Sequence, residues 1–236
     1  MTKMSFHLIW DFDNTLINEN TDTYIIKTLD PCIYQRFLDT CKSHEWNTMM
    51  DMAMGWLHDG GFTIEDIKDG FKGIPIDTDT IDTIRLYRSL NHKMYIISDS
   101  NVMFIDTVLD NLKLKHCFDE IHTNPVTVED GRLRIKPYHN EERLGPHGCK
   151  LCRRNICKGM ILDNLTIIDG KPKVYLGDGK GDFCAVLRLK EHDHALVRKG
   201  YPLEAVINDS HVKPKAHVHY WTNGKDIMDC LDKIKY

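Results

Sequence analysis

The order of hydrophobic and polar residues predicts a sheet that is interrupted by a helical segment. Residues 5–10 (SFHLIW) form a short apolar run that ends at Asp11, which is typical of a buried strand entering a polar loop. A second apolar run covers residues 93–98 (KMYIIS). Further short strands are predicted at residues 120–123, 174–177, 195–198 and 217–221. Because helical or irregular segments separate these strands, we expect an α/β fold with a parallel sheet covered on both faces.

After the first strand the apolar residues recur at helical spacing instead. Helical signals occur at residues 25–29, 33–38, 49–57, 63–66 and 77–90. The fourth of these is Thr63-Ile-Glu-Asp66, a capping box that marks the start of a helix. We therefore expect four or five helices, with almost no strand between them, inserted after the first strand. Another amphipathic helix is predicted after Asn101.

Composition and charge narrow the class of protein. The chain has 236 residues, of which 42% are hydrophobic, and a formal net charge of -4. This balance argues against nucleic acid as a partner, because such binders are usually basic. We expect no membrane span, since no apolar run has the required length. The N-terminal residues lack the layout of a signal peptide and the eight cysteines lack an export context, so we expect a cytoplasmic protein with reduced thiols.

An acid pair, Asp11 and Asp13, follows the first predicted strand in the string DFDNT. The carboxyl ends of strands are where open α/β sheets bind ligands. Alternation along the chain places both carboxylates on one side, while Phe12 points into the core. Such a pair can share a Mg²⁺ ion, or one member can act as nucleophile and the other as general acid/base. The alternative is a solvated acidic turn.

Three later segments add further polar groups in a defined order. Ser98 ends the second predicted strand, Lys158 follows a loop, and the string GDGKGD at residues 177–182 follows another strand. Taken singly, these are a strand terminus, a surface lysine and a turn. The order of acid pair, hydroxyl, lysine and second acid pair is more informative, because each group falls at a position that faces one sheet edge.

The chain resembles the haloacid dehalogenase superfamily of phosphatases, whose four motifs match DFDNT, Ser98, Lys158 and GDGKGD. Within the superfamily it resembles the PHOSPHO-type branch, which includes phosphoethanolamine/phosphocholine and pyridoxal phosphate phosphatases. The strings that carry this likeness are DFDNTLINENTD, IISDSN, HGCKLCRRNICKG and GDGKGDFC. The resemblance implies a Rossmann-like parallel core formed by residues 1–18 and 87–236. It also implies an inserted helical cap of the C1 type at residues 19–86.

The resemblance also implies a reaction. Asp11 would attack phosphorus and form an aspartyl-phosphate, while Asp13 would protonate the leaving oxygen and then deprotonate water. Mg²⁺ would be held by the Asp11 carboxylate, the Asp13 backbone carbonyl and Asp178. The substrate would be a small phosphomonoester. The oligomeric state stays open.

Four more residues receive roles from the same resemblance. Ser98 and Lys158 would bind the oxygens of the transferring phosphoryl group. Asp182 would orient Lys158 or a metal-bound water, and Thr15 would fix the nucleophile loop. The chain departs from the family pattern at Lys180-Gly181, where the family usually carries Ala-Asn; the acids on either side are kept.

A cysteine cluster suggests a second, structural metal. Cys149 and Cys152 have the C-x₂-C spacing of a zinc site, and Cys157 with His147 or His139 would complete four ligands. The alternative is a loop with three reduced cysteines.

Two acids that phosphoryl transfer does not require, Asp22 and Asp99, are predicted to contact the substrate. If both face the pocket, they form an anionic wall that favours phosphoethanolamine or phosphocholine, with pyridoxal phosphate next. Each could instead cap a helix.

Other functions compatible with the motifs are a phosphotransferase or mutase, and a phosphatase for thiamine phosphate or pyrophosphate. A non-catalytic metal-binding or interaction protein, and a zinc-dependent nucleic-acid module, are alternatives of other classes. The intact motif residues argue against the first of these, and the acidic net charge argues against the second.

Overall fold

The computed structural model describes residues 6–140, 144–165 and 170–234. Residue 5 of the first predicted strand, and residues 1–4 and 235–236 of the predicted core, lie outside these ranges. Of the described helices, none combines the length and the apolar character needed to cross a bilayer.

Six parallel strands form the main sheet, and two more form a separate antiparallel hairpin. In chain order the strands are β1 (His7–Trp10), β2 (Lys93–Asn101), β3 (Glu120–Asn124), β4 (Val126–Glu129), β5 (Arg132–Ile135), β6 (Lys173–Gly177), β7 (His194–Arg198) and β8 (His217–Trp221). The sheet order is β3-β2-β1-β6-β7-β8, while β4 pairs with β5. The predicted parallel sheet is therefore confirmed.

Strand β1 lies at the centre of the sheet, bonded to β2 on one side and β6 on the other. Its side chains alternate between two separate hydrophobic clusters: Leu8 and Trp10 belong to one, and Ile9 to the other. Both faces of the sheet are thus covered, as expected for a parallel sheet. The arrangement places Asp11, the next residue, at the carboxyl edge of the sheet.

Ten helices surround the sheet in the described part of the chain. They are α1 (Thr21–Leu29), α2 (Pro31–Thr40), α3 (Trp46–Asp59), α4 (Ile64–Gly70), α5 (Thr78–Ser89), α6 (Val102–Leu112), α7 (Lys158–Asn164), α8 (Phe183–Val186), α9 (Pro202–Asp209) and α10 (Gly224–Lys233). Apolar residues of α5, α6 and α10 pack on one face of the sheet, and those of α7, α8 and α9 pack on the other.

Helices α1 to α4 form the helical insert that follows β1, and α1 contacts each of the other three. The capping box of α4 is present, since the Thr63 side chain accepts from the Asp66 backbone N–H and Asp66 accepts in return. The spacing of apolar residues therefore located these helices correctly.

The hairpin of β4 and β5 was not predicted. Its two-residue turn is Asp130-Gly131, with φ of 51° and 81°, the left-handed values that a tight hairpin turn requires. The hairpin packs against α3, where the Asp51 carboxylate accepts from Arg132 and Arg134. It thus extends the helical insert with a segment that lies after β3 in the sequence.

Helix α5 lies against α10 rather than against the other inserted helices. The Gly224 backbone N–H donates to Asp77 Oδ2 at 2.9 Å, and the Tyr87 hydroxyl donates to Asp232 at 3.2 Å. These contacts favour assigning α5 to the sheet-containing core. The division into a core of 1–18 and 87–236 and a cap of 19–86 stays a prediction.

Candidate active site

The predicted site residues converge on a cavity of about 600 Å³ at the carboxyl edge of the sheet. Asp11 and Asp13 reach it from the end of β1, Asp99 from β2, and Asp178 and Asp182 from the loop after β6. Because the strands are parallel, the loops that follow them lie at the same edge of the sheet, although up to 171 residues separate them in sequence. Asn20, the N-cap of α1, and Trp46 of α3 also line the cavity.

Asp11 is paired directly with Lys158. The Lys158 ammonium lies 2.5 Å from Asp11 Oδ1, and both side chains are about 95% buried. Lys158 is the first residue of α7, which is why its side chain reaches the end of β1. Burial alone would lower the pKa of Lys158, but the Asp11 and Asp182 carboxylates raise it well above its usual value. Lys158 therefore carries a fixed positive charge in the site.

Asp182 positions Lys158. Its Oδ1 accepts from the Lys158 ammonium at 2.8 Å and from the Tyr175 hydroxyl at 2.7 Å. Its Oδ2 accepts from the backbone N–H groups of Asp178 and Gly179, at 3.1 and 2.9 Å. With both oxygens occupied in this way, Asp182 orients the ammonium. Its part in catalysis stays a prediction.

Three carboxylates form an anionic group around the single ammonium. Ligand atoms of Asp11, Asp178 and Asp182 lie within 4.8 Å of one another. The Thr15 hydroxyl contacts both Asp11 Oδ2 and Asp178 Oδ1 at 3.4 Å, so it lies between the first two. Burial, followed by the charge of Asp182, raises the pKa of Asp178 to about 6 and that of Asp11 well above its usual value. Asp11 and Asp178 therefore hold a proton more tightly than exposed carboxylates do.

Asp13 accepts hydrogen bonds from the start of α1, and it does not belong to the group of three clustered carboxyl groups. Its Oδ1 accepts from the Thr21 backbone N–H at 2.9 Å, and its Oδ2 accepts from the Thr21 hydroxyl and the Asn20 side-chain amide at 3.2 and 3.1 Å. The Thr21 hydroxyl also contacts that of Ser100 at 2.7 Å. Burial, and then the charge of Asp22, raises the pKa of Asp13 well above its usual value. A protonated Asp13 suits a general acid.

Ser98 lies beneath the cavity floor. Its side chain is fully buried, and its hydroxyl oxygen accepts from the Ser100 backbone N–H at 3.2 Å. Asp99 lines the cavity, whereas Ser98 does not belong to the described lining. A phosphate-binding role for Ser98 stays a prediction.

The two predicted substrate-binding acids do not form one wall. Asp22 is buried behind Trp46, whose indole N–H donates to it at 2.6 Å, and burial raises its pKa to about 7. Asp99 does face the cavity, with the Arg153 guanidinium 3.9 Å away. That guanidinium also stacks on Trp46, 5.2 Å from the ring centre. Neither acid caps a helix: the N-caps are Asn20 for α1 and Asn101 for α6.

The cysteine cluster is present, but with a different fourth member. Ligand atoms of Cys149, Cys152, Cys157 and Cys184 lie within 4.8 Å of one another. His147 is not part of this group: its Nδ1 accepts from the Cys149 backbone N–H, and its Nε2 contacts the Arg153 carbonyl. His139, the other candidate, instead accepts from the Cys157 backbone N–H. Zinc binding stays a prediction.

Several residues of the site were not predicted from the sequence. They are Asn20, Thr21, Trp46, Arg153, Tyr175 and Arg198. Arg198, at the end of β7, donates to the backbone carbonyl of Asn14, which holds the left-handed turn after Asp13 at a φ of 53°. A sequence signal existed for Asn20, an N-cap residue directly before a helical pattern. Tyr175 gave no such signal, since it alternates as a core residue of β6.

Comparison with known proteins places this site in a family. Residues 6–234 match the family model described as Putative Phosphatase. The chain is 37% identical to a thiamine phosphate phosphatase-like protein of Arabidopsis thaliana, over 93% of this chain and 91% of that protein. It is 37% identical to inorganic pyrophosphatase 2 of the same plant, over 96% and 82%, respectively. It is 31% identical to the mouse (Mus musculus) pyridoxal phosphate phosphatase PHOSPHO2, over 97% and 98%.

Solved structures show the same fold. A substrate-bound phosphoserine phosphatase superposes with a TM-score of 0.64 and 15% identity, over 97% of this chain and 99% of that one. Its likeness confirms the Rossmann-like sheet with flanking helices. With the family match covering nearly the whole chain, this protein belongs to the Putative Phosphatase family and is a phosphatase of the PHOSPHO type.

Proposed function

We propose that the protein hydrolyses a small phosphomonoester, in a Mg²⁺-dependent reaction, through an aspartyl-phosphate on Asp11. The observation that carries this proposal is the buried contact of 2.5 Å between Asp11 and Lys158 at the floor of the cavity. A carboxylate held beside an ammonium at a strand end is placed to attack a phosphoryl group, while the ammonium offsets the charge of the two approaching anions.

In the first half-reaction an Asp11 oxygen forms a bond to phosphorus, and the bond from phosphorus to the ester oxygen breaks. The leaving oxygen takes the bonding electron pair and a proton from Asp13. In the second half-reaction Asp13 takes a proton from water, the water oxygen attacks phosphorus, and the bond to Asp11 breaks. The raised pKa of Asp13 supports its role as the acid in the first step.

The residues of the site fit Mg²⁺. Carboxylate oxygens are the donors that Mg²⁺ prefers, and Asp11, Asp178 and Asp182 bring three carboxyl groups around the Lys158 ammonium. Asp11 and Asp178 have more capacity left for a metal, because the two oxygens of Asp182 accept four hydrogen bonds and those of the other two residues accept fewer. The Asp13 backbone carbonyl is the proposed third protein ligand. Bound Mg²⁺ would supply charge neutralisation for the phosphoryl oxygens.

The covalent mechanism is tested with Asp11→Asn. This variant keeps the size of the side chain but lacks the nucleophile, so phosphate release should fall by at least about 10³-fold. Asp178→Asn is the companion variant, for which a higher Mg²⁺ requirement is expected with some activity kept. Activity of the wild type should vanish in EDTA and return with added Mg²⁺. Near wild-type turnover by Asp11→Asn, or full activity in excess chelator, would overturn the proposal.

A phosphotransferase built on the same site is distinguished by the acceptor. The proposal requires release of inorganic phosphate with water as the only acceptor. If the substrate is consumed only when a sugar or another alcohol is added, and the phosphoryl group is recovered on that alcohol and not as inorganic phosphate, the enzyme is a transferase.

The cavity wall opposite the phosphate site favours a leaving group with an aromatic or cationic part. Trp46 offers a ring face on which the Arg153 guanidinium already stacks, and Asp99 offers a carboxylate beside it. A cationic or aromatic substrate could take the place of Arg153 on the ring. Thiamine phosphate and pyridoxal phosphate, after which relatives are named, fit this wall, with phosphoethanolamine and phosphocholine as smaller cationic substrates.

Pyrophosphate is a second candidate, and a specific observation favours it. Arg153 and Lys180 both line the cavity, so a second phosphate would find two cations there. A relative with 37% identity is named inorganic pyrophosphatase 2.

A panel of these substrates decides between the two candidates. Trp46→Leu should lower kcat/KM for thiamine phosphate and pyridoxal phosphate by about tenfold, the value of one lost stacking contact. Trp56→Leu is the matched control: it lies on the same helix under Arg36, 4.0 Å away, but outside the described cavity lining, so kcat/KM should not change. If pyrophosphate has the highest kcat/KM of the panel and Arg153→Gln lowers that value selectively, the second candidate is supported.

A further inference from the structure

Four cysteines from two distant segments meet beside the active site. Cys149, Cys152 and Cys157 belong to the loop that leads into α7, and Cys184 is the second residue of α8. The sulfur of Cys184 lies 3.5 Å from that of Cys149 and 3.8 Å from that of Cys157, while those of Cys152 and Cys157 are 3.7 Å apart. All four are free thiols, at separations far beyond the ~2.05 Å of a disulfide.

The sulfur separations match those of one tetrahedral metal site. Four thiolates bound to zinc at about 2.3 Å place neighbouring sulfurs about 3.8 Å apart, by tetrahedral geometry. Two of the cysteines have the C-x₂-C spacing with which one loop grips a metal. Packing alone does not require four sulfurs from two segments to face one centre.

The surroundings supply what a thiolate cluster requires. The Arg188 guanidinium hydrogen-bonds to the Cys184 sulfur, and the Met160 backbone N–H hydrogen-bonds to the Cys157 sulfur. Such contacts stabilise the negative charge of metal-bound sulfur. Gly159 leaves the space for Cys184, since a Cβ there would lie 2.6 Å from its sulfur.

We propose that Cys149, Cys152, Cys157 and Cys184 bind one structural zinc ion, with Cys184 and not His147 as the fourth ligand. The proposal is independent of the proposed function. Its effect is mechanical, because Cys157 directly precedes Lys158 and Cys184 follows Asp182 by two residues. The ion would join the two segments whose side chains meet in the Lys158–Asp182 contact of 2.8 Å. It would also fix the loop that carries Arg153.

The direct test is the metal content of the full-length protein, purified under reducing conditions without added metal. We expect about one zinc per chain by mass spectrometry, as for a closed structural site. Four thiols should react with Ellman's reagent only after a strong zinc chelator is added. Replacement by Co²⁺ should give the absorption spectrum of a tetrahedral tetrathiolate site.

Variants identify the fourth ligand. Cys184→Ser should lose at least half of the zinc, while His147→Ala should keep it. Cys32→Ser removes an exposed thiol elsewhere and controls for loss of a cysteine, and Asp178→Asn should also keep zinc, which excludes the carboxylate site. If Cys184→Ser does not fold, the Co²⁺ absorption spectrum of the wild type still shows whether four thiolates bind the metal.

Two results would overturn the proposal. One is wild-type protein that is folded, contains less than a tenth of an equivalent of zinc and takes up none from added Zn²⁺. The other is loss of zinc in His147→Ala with full retention in Cys184→Ser.

Discussion

Asp22 is a carboxylic acid that the fold keeps close to neutrality. It is buried and accepts one hydrogen bond from the Trp46 indole at 2.6 Å, and burial raises its pKa to about 7 from the ordinary 3.8. A raised carboxyl pKa means that the folded state binds the proton more tightly than the unfolded state. Its favourable contribution is therefore complete below about pH 4 and is lost as the pH rises through about 7.

We expect Asp22→Asn to be more stable than the wild type at pH 8. Asparagine can still accept from Trp46 but never ionises, so the gain should be about 1–4 kcal/mol, or several degrees in Tm. Thermal melts across the pH range measure it. The gain should shrink as the pH falls from 7 to 4. A gain that is the same at pH 4 and pH 8 would show that Asp22 is not the titrating group.

At the residue scale, the sequence predicted the charged groups that follow strands or loops, and it missed residues of the insert and of the rest of the chain alike. The missed residues are Asn20, Thr21 and Trp46 of the insert, and Arg153, Tyr175 and Arg198 outside it. Asp11, Asp178 and Lys158 follow strands or loops whose common edge is a rule of parallel sheets, so their convergence could be foreseen. The contact between Asp13 and Thr21 depends on the angle at which α1 leaves the sheet, which no local pattern encodes. The Tyr175 hydroxyl bonds to Asp182 from a strand that reads as core.

Helix α1 shows how one element can serve stability and chemistry with the same residue. The Asn20 side chain accepts from the Thr23 backbone N–H at 3.0 Å, which caps the helix, and donates to Asp13 at 3.1 Å. Loss of an N-cap costs about 1 kcal/mol. Loss of the second contact removes one of the donors that position the acid.

Asn20→Ala should therefore lower both Tm and kcat, with kcat falling about three- to tenfold, the value of one hydrogen bond. Asn223→Ala is the matched control, because Asn223 caps α10 by accepting from the Asp226 N–H at 3.0 Å and lies away from the cavity. It should lower Tm to a similar extent and leave kcat unchanged. Equal kcat values in both variants would show that Asn20 does not position Asp13.

Helices and strands with a strong hydrophobic period were located correctly. Those that depend on turn residues or on contacts with distant elements were not. The capping box fixed the start of α4, as predicted. Strand β2 runs to Asn101 and not to residue 98, since its later residues bond to β3 across an irregular register. The hairpin of β4 and β5 depends on Asp130-Gly131 and on Asp51 of a distant helix, and only the turn is visible in the sequence.

For the whole molecule, the contact between α5 and α10 ties the end of the helical segment to the C-terminal helix. The two backbones approach closely at Gly224, where an added Cβ would lie 2.4 Å from the Thr80 nitrogen. That atom belongs to the backbone and cannot rotate away. The close approach explains why glycine occupies this position.

Gly224→Ala should therefore destabilise the protein by about 2 kcal/mol, the usual cost of overpacking, while kcat at a permissive temperature stays unchanged. Gly73→Ala is the control, because its Cβ would meet only the Tyr24 hydroxyl at 3.5 Å, an ordinary contact. Urea denaturation measures both. An unaltered unfolding midpoint for Gly224→Ala would mean that α5 and α10 separate at no cost, and α5 would then be better grouped with the other inserted helices.

The hydrogen bonds from α1 to Asp13 couple the proton affinity of this carboxylate to the position of the helix. Three donors from Asn20 and Thr21 stabilise the ionised carboxylate, and they lower the pKa of Asp13 against the larger opposing effects of burial and of Asp22. By linkage, ionisation of Asp13 strengthens these bonds and favours the position of α1 in which they form. In the proposed mechanism each turnover changes the charge of Asp13 twice, so the strength of the contact between α1 and the edge of the sheet would also change twice in each catalytic cycle.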